Sequence, residues 1–274
     1  MKKLSIILLL TGFFLFFSMN NASADFWASG VSETSGWYDA EKDNPNFEDD
    51  DLCWAASASN ILAWSGWDAG YTAKAGDGLE DSIFDFLEAE TPLDKGGWQS
   101  YAWNFWFDGT QNPGGLGHFV GSEHTGYYST AEYNAALVQE WDDSDLDVAM
   151  DLAAGWLQDD YGVGLAVKAN CYHAVTLWGI DTDEAGEYVG VWITDSDNSA
   201  AGADPRPNTL NYYDVFFGTD DLWHLDGMCG DAAIIEMDAL KMADTQPVPE
   251  PATMLLLGSG LLGLGAFRRR FKKS

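Results

Sequence analysis

Basic residues are scarce in this 274-residue chain, and most of them sit at its ends. Lys2 and Lys3 open it, and Arg268, Arg269, Arg270, Lys272 and Lys273 close it. Only Lys42, Lys74, Lys95, Lys168, Arg206 and Lys241 are left for everything between. Against them stand 44 Asp and Glu, for a formal net charge of −31. A surface of that sign repels phosphate backbones and anionic lipid, which argues against nucleic acid and anionic membranes as partners. Otherwise it reads as a solvated, soluble exterior. Histidine is rarer still, at His118, His124, His173 and His224, and cysteine rarest, at Cys53, Cys171 and Cys229. An odd number of thiols leaves at least one unpaired if every bridge is internal. No repeat of solenoid length is present, and about 220 residues between the terminal segments suffice for one sizeable domain.

Neither terminal apolar run reaches the roughly 20 residues that a membrane-spanning helix needs. The first, Leu4 to Phe17, follows two lysines and precedes Ala22-Ser23-Ala24. That is the order of a Sec signal peptide with a small-residue cleavage site, so signal peptidase is expected to leave Asp25 as the mature N-terminus. At the other end Val248-Pro249-Glu250-Pro251-Ala252-Thr253 precedes a Gly-rich apolar run, Met254 to Phe267, and the basic cluster. A short hydrophobic segment closed by positive charge is a stop-transfer tail whose basic end stays in the cytoplasm. Membrane contact is expected through this segment alone. The sequence of elements resembles the PEP-CTERM sorting signal, which implies processing by an exosortase and display on a Gram-negative envelope. The expected organisation is a signal peptide over 1–24, one domain over 25–246 and a sorting segment over 247–274.

Within the domain, Leu52 to Trp64 lacks Gly and Pro and carries a helical apolar pattern, entered from Glu48-Asp49-Asp50-Asp51, which can cap it. Further helices are expected over Thr130–Trp141 and Leu146–Asp160. After Gly162 the chain turns β-branched and aromatic, and strands are expected over Gly164–Lys168, Tyr172–Ile180, Tyr188–Thr194, Asn211–Phe217 and Ile234–Leu240. Helices first and antiparallel strands afterwards give an α+β domain in two parts. The stretch Gly66–Ser129, rich in Gly, Asp and Trp, reads as long loops with a short helix near Ser82–Glu88, lining or covering a cleft.

Cys53 stands at the start of the first helix. A helix N-terminus and a neighbouring imidazolium both favour thiolate, the reactive form. Of the four histidines, His118 and His124 lie in loop-like contexts and His224 follows Trp223, where packing or surface roles are expected. His173 opens a strand instead. Alternation puts His173, Val175 and Leu177 on one face, and Val189, Val191, Ile193, Asp195 and Asp197 on one face of the return strand. A hairpin turning at Glu184 pairs His173 with Asp195, and one turning at Ala185 pairs it with Asp197. Either register sets a carboxylate within reach of the imidazole, where it fixes the tautomer. Asp181-Thr182-Asp183 lacks the remaining ligands of a calcium loop, and Gly186 suits a left-handed turn position, so no metal and no other cofactor is expected. Cys171 and Cys229 either pair or stay free; the sequence does not choose.

Gly36-Trp37-Tyr38-Asp39 with Lys42, Asp50-Asp51-Leu52-Cys53 with Ala55-Ala56, and His173-Ala174-Val175 through Leu177-Trp178-Gly179 to Thr194-Asp195-Ser196-Asp197 resemble the IdeS/Mac family of streptococcal immunoglobulin-degrading cysteine endopeptidases. The likeness covers the start of the mature chain to Trp64 and again Tyr172 to about Asn198. It implies a papain-like fold, with Cys53 as nucleophile, His173 as base, Asp195 as orienting carboxylate, Asp197 as a second carboxylate and Lys42 as an oxyanion-hole contributor. Trp54 stands where those enzymes have Gly. Phe47 stands at the spacing of the papain oxyanion Gln, so that role falls to Lys42 and the Cys53 amide. The expected activity is hydrolysis of peptide bonds in protein or peptide substrates. Two alternatives are a transglutaminase-like or peptidoglycan amidase use of the same triad, and a non-catalytic matrix-binding protein equipped by its 13 tryptophans.

Overall fold

A computed structural model describes residues 26–42, 51–74, 77–91, 96–111, 119, 123–136, 139–142, 148–197 and 208–244. The signal peptide, the whole sorting segment, Phe47, Glu48 to Asp50, His118 and Asn198 lie outside the described residues. The chain divides into a unit Met1–Met242, which contains the fold, and a unit Ala243–Ser274. Among the described residues no helix is long and apolar enough to cross a membrane.

The first helix, α1, runs Cys53–Ser65. Its alanines and the absence of Gly and Pro favour the helix, and Gly66, at φ 78°, ends it in the left-handed conformation that glycine takes most readily. Twelve of its thirteen residues are buried, Trp54 through Ser65. A helix buried all round belongs in a core, where each enclosed Ile61 or Leu62 side chain contributes about 1.5–3 kcal/mol. The N-cap is Leu52, which offers no side-chain cap, and most of the acidic run expected to cap the helix, Glu48 to Asp50, lies outside the described residues.

Two more helices fill the stretch expected to be mostly loop. α2, Leu79–Glu90, extends the short helix foreseen near Ser82. α3, Gln99–Asp108, was not foreseen: Ala102, Trp103, Phe105, Trp106 and Phe107 are all buried, and the half-buried face is only Tyr101, Asn104 and Asp108, too narrow and too aromatic to stand out as a polar stripe. These helices pack with α1 around Trp54, Phe84, Leu87, Trp103 and Phe105 in one hydrophobic cluster. The helix expected over Thr130–Trp141 stops early. α4 covers Thr130–Ala136, and Gln139–Asp142 is instead the strand β2, paired antiparallel with the last strand. α5, Ala149–Gln158, lies inside the expected Leu146–Asp160.

A short strand β1, Phe26–Trp27, pairs with β4. The main sheet is β3 Tyr161–Lys168, β4 Tyr172–Thr182, β5 Tyr188–Thr194, β6 Leu210–Phe217, β7 Trp223–Leu225 and β8 Ala232–Lys241, with every pairing antiparallel. Because β4 pairs with both β3 and β5, the path β4-β3-β8-β7-β6-β5 closes on β4 again. Closure leaves these strands no long free edge. The sheet and α5 share a second hydrophobic cluster that includes Val163, Leu165, Val175, Leu177 and Trp178. The fold is therefore α+β, with helices grouped early and an antiparallel sheet formed mainly by the later half.

Candidate active site

The first residue of α1 is Cys53, half-buried and the free cysteine of the chain. The other two are bridged: Cys171 and Cys229 form a disulfide with their Cα atoms 6.2 Å apart, which settles the choice that spacing left open. A thiol at this position lies among the unsatisfied backbone N–H groups of a helix N-terminus, where negative charge is favoured.

His173 is the second residue of β4, placed by its pairing with Val167 on β3. Its Nε2 lies 2.6 Å from Asp195 Oδ1, and the Cys53 side chain is near enough to interact electrostatically with the imidazole. Asp195 immediately follows β5. The β4–β5 register pairs Thr176 with Thr194 and Leu177 with Ile193. Extending it would set His173 opposite Asp197, as a turn centred on Ala185 requires. The short contact is nonetheless the diagonal one, to Asp195, while Nδ1 of His173 is 3.7 Å from Asp197 Oδ2. The same Asp195 oxygen accepts the Asp197 backbone N–H at 2.8 Å, which fixes the carboxylate in place.

The electrostatics follow from this packing. Burial pushes the His173 imidazole toward neutrality, but the bond to Asp195 and the interactions with Cys53 outweigh it and raise its pKa to about 10. For Asp195, burial favours the neutral acid; the hydrogen bond and charge of His173, the Asp197 N–H and Lys42 overcome that and hold it below its ordinary value. The pair is thus an imidazolium and a carboxylate.

Lys42 reaches the same corner from a strap, residues 38–42. Its Nζ is 2.8 Å from Asp197 Oδ1, and the lysine is 3% exposed while the Asp197 side chain is 46% exposed. Among the described residues the strap pairs with no strand, and side chains take up its backbone polar groups. The Ala40 N–H donates to Asn60 Oδ1 at 2.7 Å and the Glu41 N–H donates to Asp81 Oδ1 at 3.4 Å, while the Glu80 carboxylate lies by the Asp39 backbone. The acidic first turn of α2 therefore holds the segment that delivers Lys42. Asp39 is fully buried; its Oδ2 accepts the Thr209 N–H at 2.8 Å, and its carboxyl feels the charge of Glu41. Burial, reinforced by the charges of Glu41 and Asp195, outweighs the Thr209 bond and pushes Asp39 up to about 9. Sequence reasoning named Asp39 within a motif without giving it this state.

His173, Asp195 and Asp197 offer three ligand atoms within 4.8 Å of one another, a spacing a metal ion can use. Here the Lys42 ammonium sits on Asp197 and the imidazole on Asp195, so cationic groups of the chain already occupy these carboxylates. The other described histidines are elsewhere. His124 packs among Phe86, Phe105 and Tyr127. His224 bonds Asp220 at 2.9 Å and the Asp231 carbonyl at 3.0 Å. All five residues singled out in the sequence, Lys42, Cys53, His173, Asp195 and Asp197, thus meet in one corner between α1, the strap and the β4–β5 hairpin.

Comparison with known proteins bears on the C-terminus. Residues 247–270 match the PEP-CTERM protein-sorting motif. That motif marks an extracellular, surface-sorted protein of Gram-negative bacteria and implies processing by an exosortase. No curated protein matches the chain.

Proposed function

We propose that this exported protein is a cysteine endopeptidase in which Cys53 is the nucleophile, His173 the general base and acid, and Asp195 the orienting carboxylate. The observation that carries the reading is the chain of contacts from the Cys53 thiol at a helix N-terminus, through His173, to Asp195 Oδ1 at 2.6 Å. A Cys-bearing helix set against an antiparallel sheet that supplies His and Asp is the arrangement the resemblance to the IdeS/Mac family and its papain-like fold implies.

Each group then has a task. The imidazolium stabilises the Cys53 thiolate, which attacks a peptide carbonyl and forms the C–S bond. With Nε2 committed to Asp195, Nδ1 carries the proton that passes to the leaving amine as the C–N bond breaks, giving a thioester. Water, deprotonated by the now neutral imidazole, clears the thioester and restores the thiolate and imidazolium. The Cys53 backbone N–H and a Lys42 ammonium proton stabilise the tetrahedral oxyanion. Asp197 holds that ammonium.

A proteome-derived peptide library digested with the purified wild-type protein and with Cys53→Ala tests the reading. Cleavage products that appear with wild type and vanish with the variant support it. Identical digests from both proteins would overturn it.

A further inference from the structure

Beneath the thiol, α1 carries a second polar set that the chemistry above does not use. Ser57 and Asn60 follow Cys53 by four and seven residues, so all three lie on one face of the helix. Ser57 and Asn60 are each 2% exposed, and Thr176 on β4 and Thr194 on β5 are fully buried.

Their hydrogen bonds form one connected chain. Asn60 Oδ1 accepts the Ala40 N–H at 2.7 Å, and Nδ2 donates to Thr176 Oγ1 at 3.0 Å and Thr194 Oγ1 at 3.4 Å. Thr194 Oγ1 in turn donates to the Tyr38 carbonyl at 2.9 Å and accepts the Trp178 indole N–H at 2.9 Å. Thr176 Oγ1 donates to Ser57 Oγ at 3.1 Å, and Ser57 Oγ donates to the Val175 carbonyl at 3.0 Å. Each hydroxyl gives its one proton, and both Asn60 N–H groups find an acceptor. The donor directions are therefore fixed throughout, and a buried network satisfied in this way is rigid.

The segments it joins are the four that carry the site: α1 with Cys53, the strap with Lys42, β4 with His173, and the end of β5, where Thr194 immediately precedes Asp195. We infer that the Asn60–Thr194–Thr176–Ser57 network consists of positioning residues that hold the thiol, the imidazole and the carboxylate at reacting distance. The inference rests on the peptidase reading for its purpose but not for its test. Asn60 touches no reacting atom. It acts by fixing the distance between Cys53 and the hairpin on which the imidazolium depends.

The experiment measures the rate of Cys53 alkylation by iodoacetamide against pH, together with kcat and KM on a cleaved peptide, using exported protein with the Cys171–Cys229 bond intact. Thr194→Val keeps the side-chain shape and removes the hydroxyl. It is expected to raise the midpoint of the alkylation profile by about one pH unit, a roughly tenfold loss of rate on the acidic limb, and to lower kcat with KM unchanged. Thr194→Ser restores the hydroxyl and should restore the profile. Ser59→Ala removes a buried hydroxyl of the same helix that bonds only the Ala55 carbonyl, and should leave the profile in place. Thr176→Val breaks the chain at another link and serves if Thr194→Val fails to fold. A moved midpoint in a protein that cleaves no peptide supports the network and overturns the peptidase reading. An unmoved midpoint in the folded valine variants, with wild-type cleavage intact, overturns the positioning role and leaves the peptidase reading standing.

Discussion

Asp39 offers a quantitative check on the electrostatics around Lys42. In an unfolded chain it titrates at its ordinary value of 3.8, whereas in the folded protein it keeps its proton up to about 9. Between those values the folded state binds one more proton than the unfolded state. Stability contributed by this group therefore falls as pH rises, by about 1.4 kcal/mol per unit. Below 3.8 and above about 9 the two states bind equally and the slope vanishes. Asp39→Asn removes the titration but keeps an oxygen to accept the Thr209 N–H and gains N–H donors toward Glu41. Its stability relative to wild type should therefore climb from pH 5 to pH 8, by at most about 4 kcal/mol over the three units. His173, raised to about 10, also contributes stability that is full below 6.5 and lost as pH rises through its folded value. That contribution is common to both proteins and cancels in the difference. Urea unfolding followed by tryptophan fluorescence at several pH values measures the difference directly. Parallel stability curves for variant and wild type would refute the protonated state of Asp39.

Three further predictions concern the site and the ends. Asp195→Asn should reduce turnover more than Asp197→Asn and should move the Cys53 alkylation profile to higher pH, because only Asp195 bonds His173 Nε2 at 2.6 Å; a larger effect from Asp197→Asn would reverse the two roles. Lys42→Ala should lower kcat by roughly 10² to 10³ with little change in KM, the scale of one lost oxyanion donor, and unchanged kinetics would remove Lys42 from the chemistry. Mass spectrometry of the protein from its host should find an N-terminus at Asp25 and a C-terminus near Pro249 to Ala252. Retention of the basic tail on most molecules would indicate a plain membrane anchor.

Which side chains meet at the candidate site was more legible in the sequence than the architecture was. His173 is the one histidine that opens a strand with a carboxylate-bearing return strand. That pattern is local, within one hairpin, and the hairpin is present. The choice between Asp195 and Asp197 was harder, because the register favours one residue and the short contact goes to its diagonal neighbour. Register shifts between Leu177 and Gly179 and between Asp181 and Thr182 twist the hairpin in ways that alternation alone does not show. α3 was hidden because its half-buried face, Tyr101, Asn104 and Asp108, is narrow and the rest of the helix is apolar or buried, so the polar period is faint. β2 was hidden because Thr130–Trp141 continues a helical pattern past Ala136, and only pairing with β8 draws Gln139–Asp142 into the sheet. The Asn60 network was out of reach for another reason: its bonds to Thr176 and Thr194 span 116 and 134 residues. An asparagine in an alanine-rich helix gives no sign of such distant partners.

The central claim is that His173 activates Cys53 and that Cys53 does the chemistry. The most direct test follows Cys53 alkylation by iodoacetamide and peptide turnover together in one sample at neutral pH, with His173→Ala alongside. The account predicts rapid single-site modification of Cys53 with activity lost in step, and slow modification with no turnover in the variant. Full alkylation of Cys53 that leaves cleavage undiminished, or equal alkylation rates with and without His173, would contradict it.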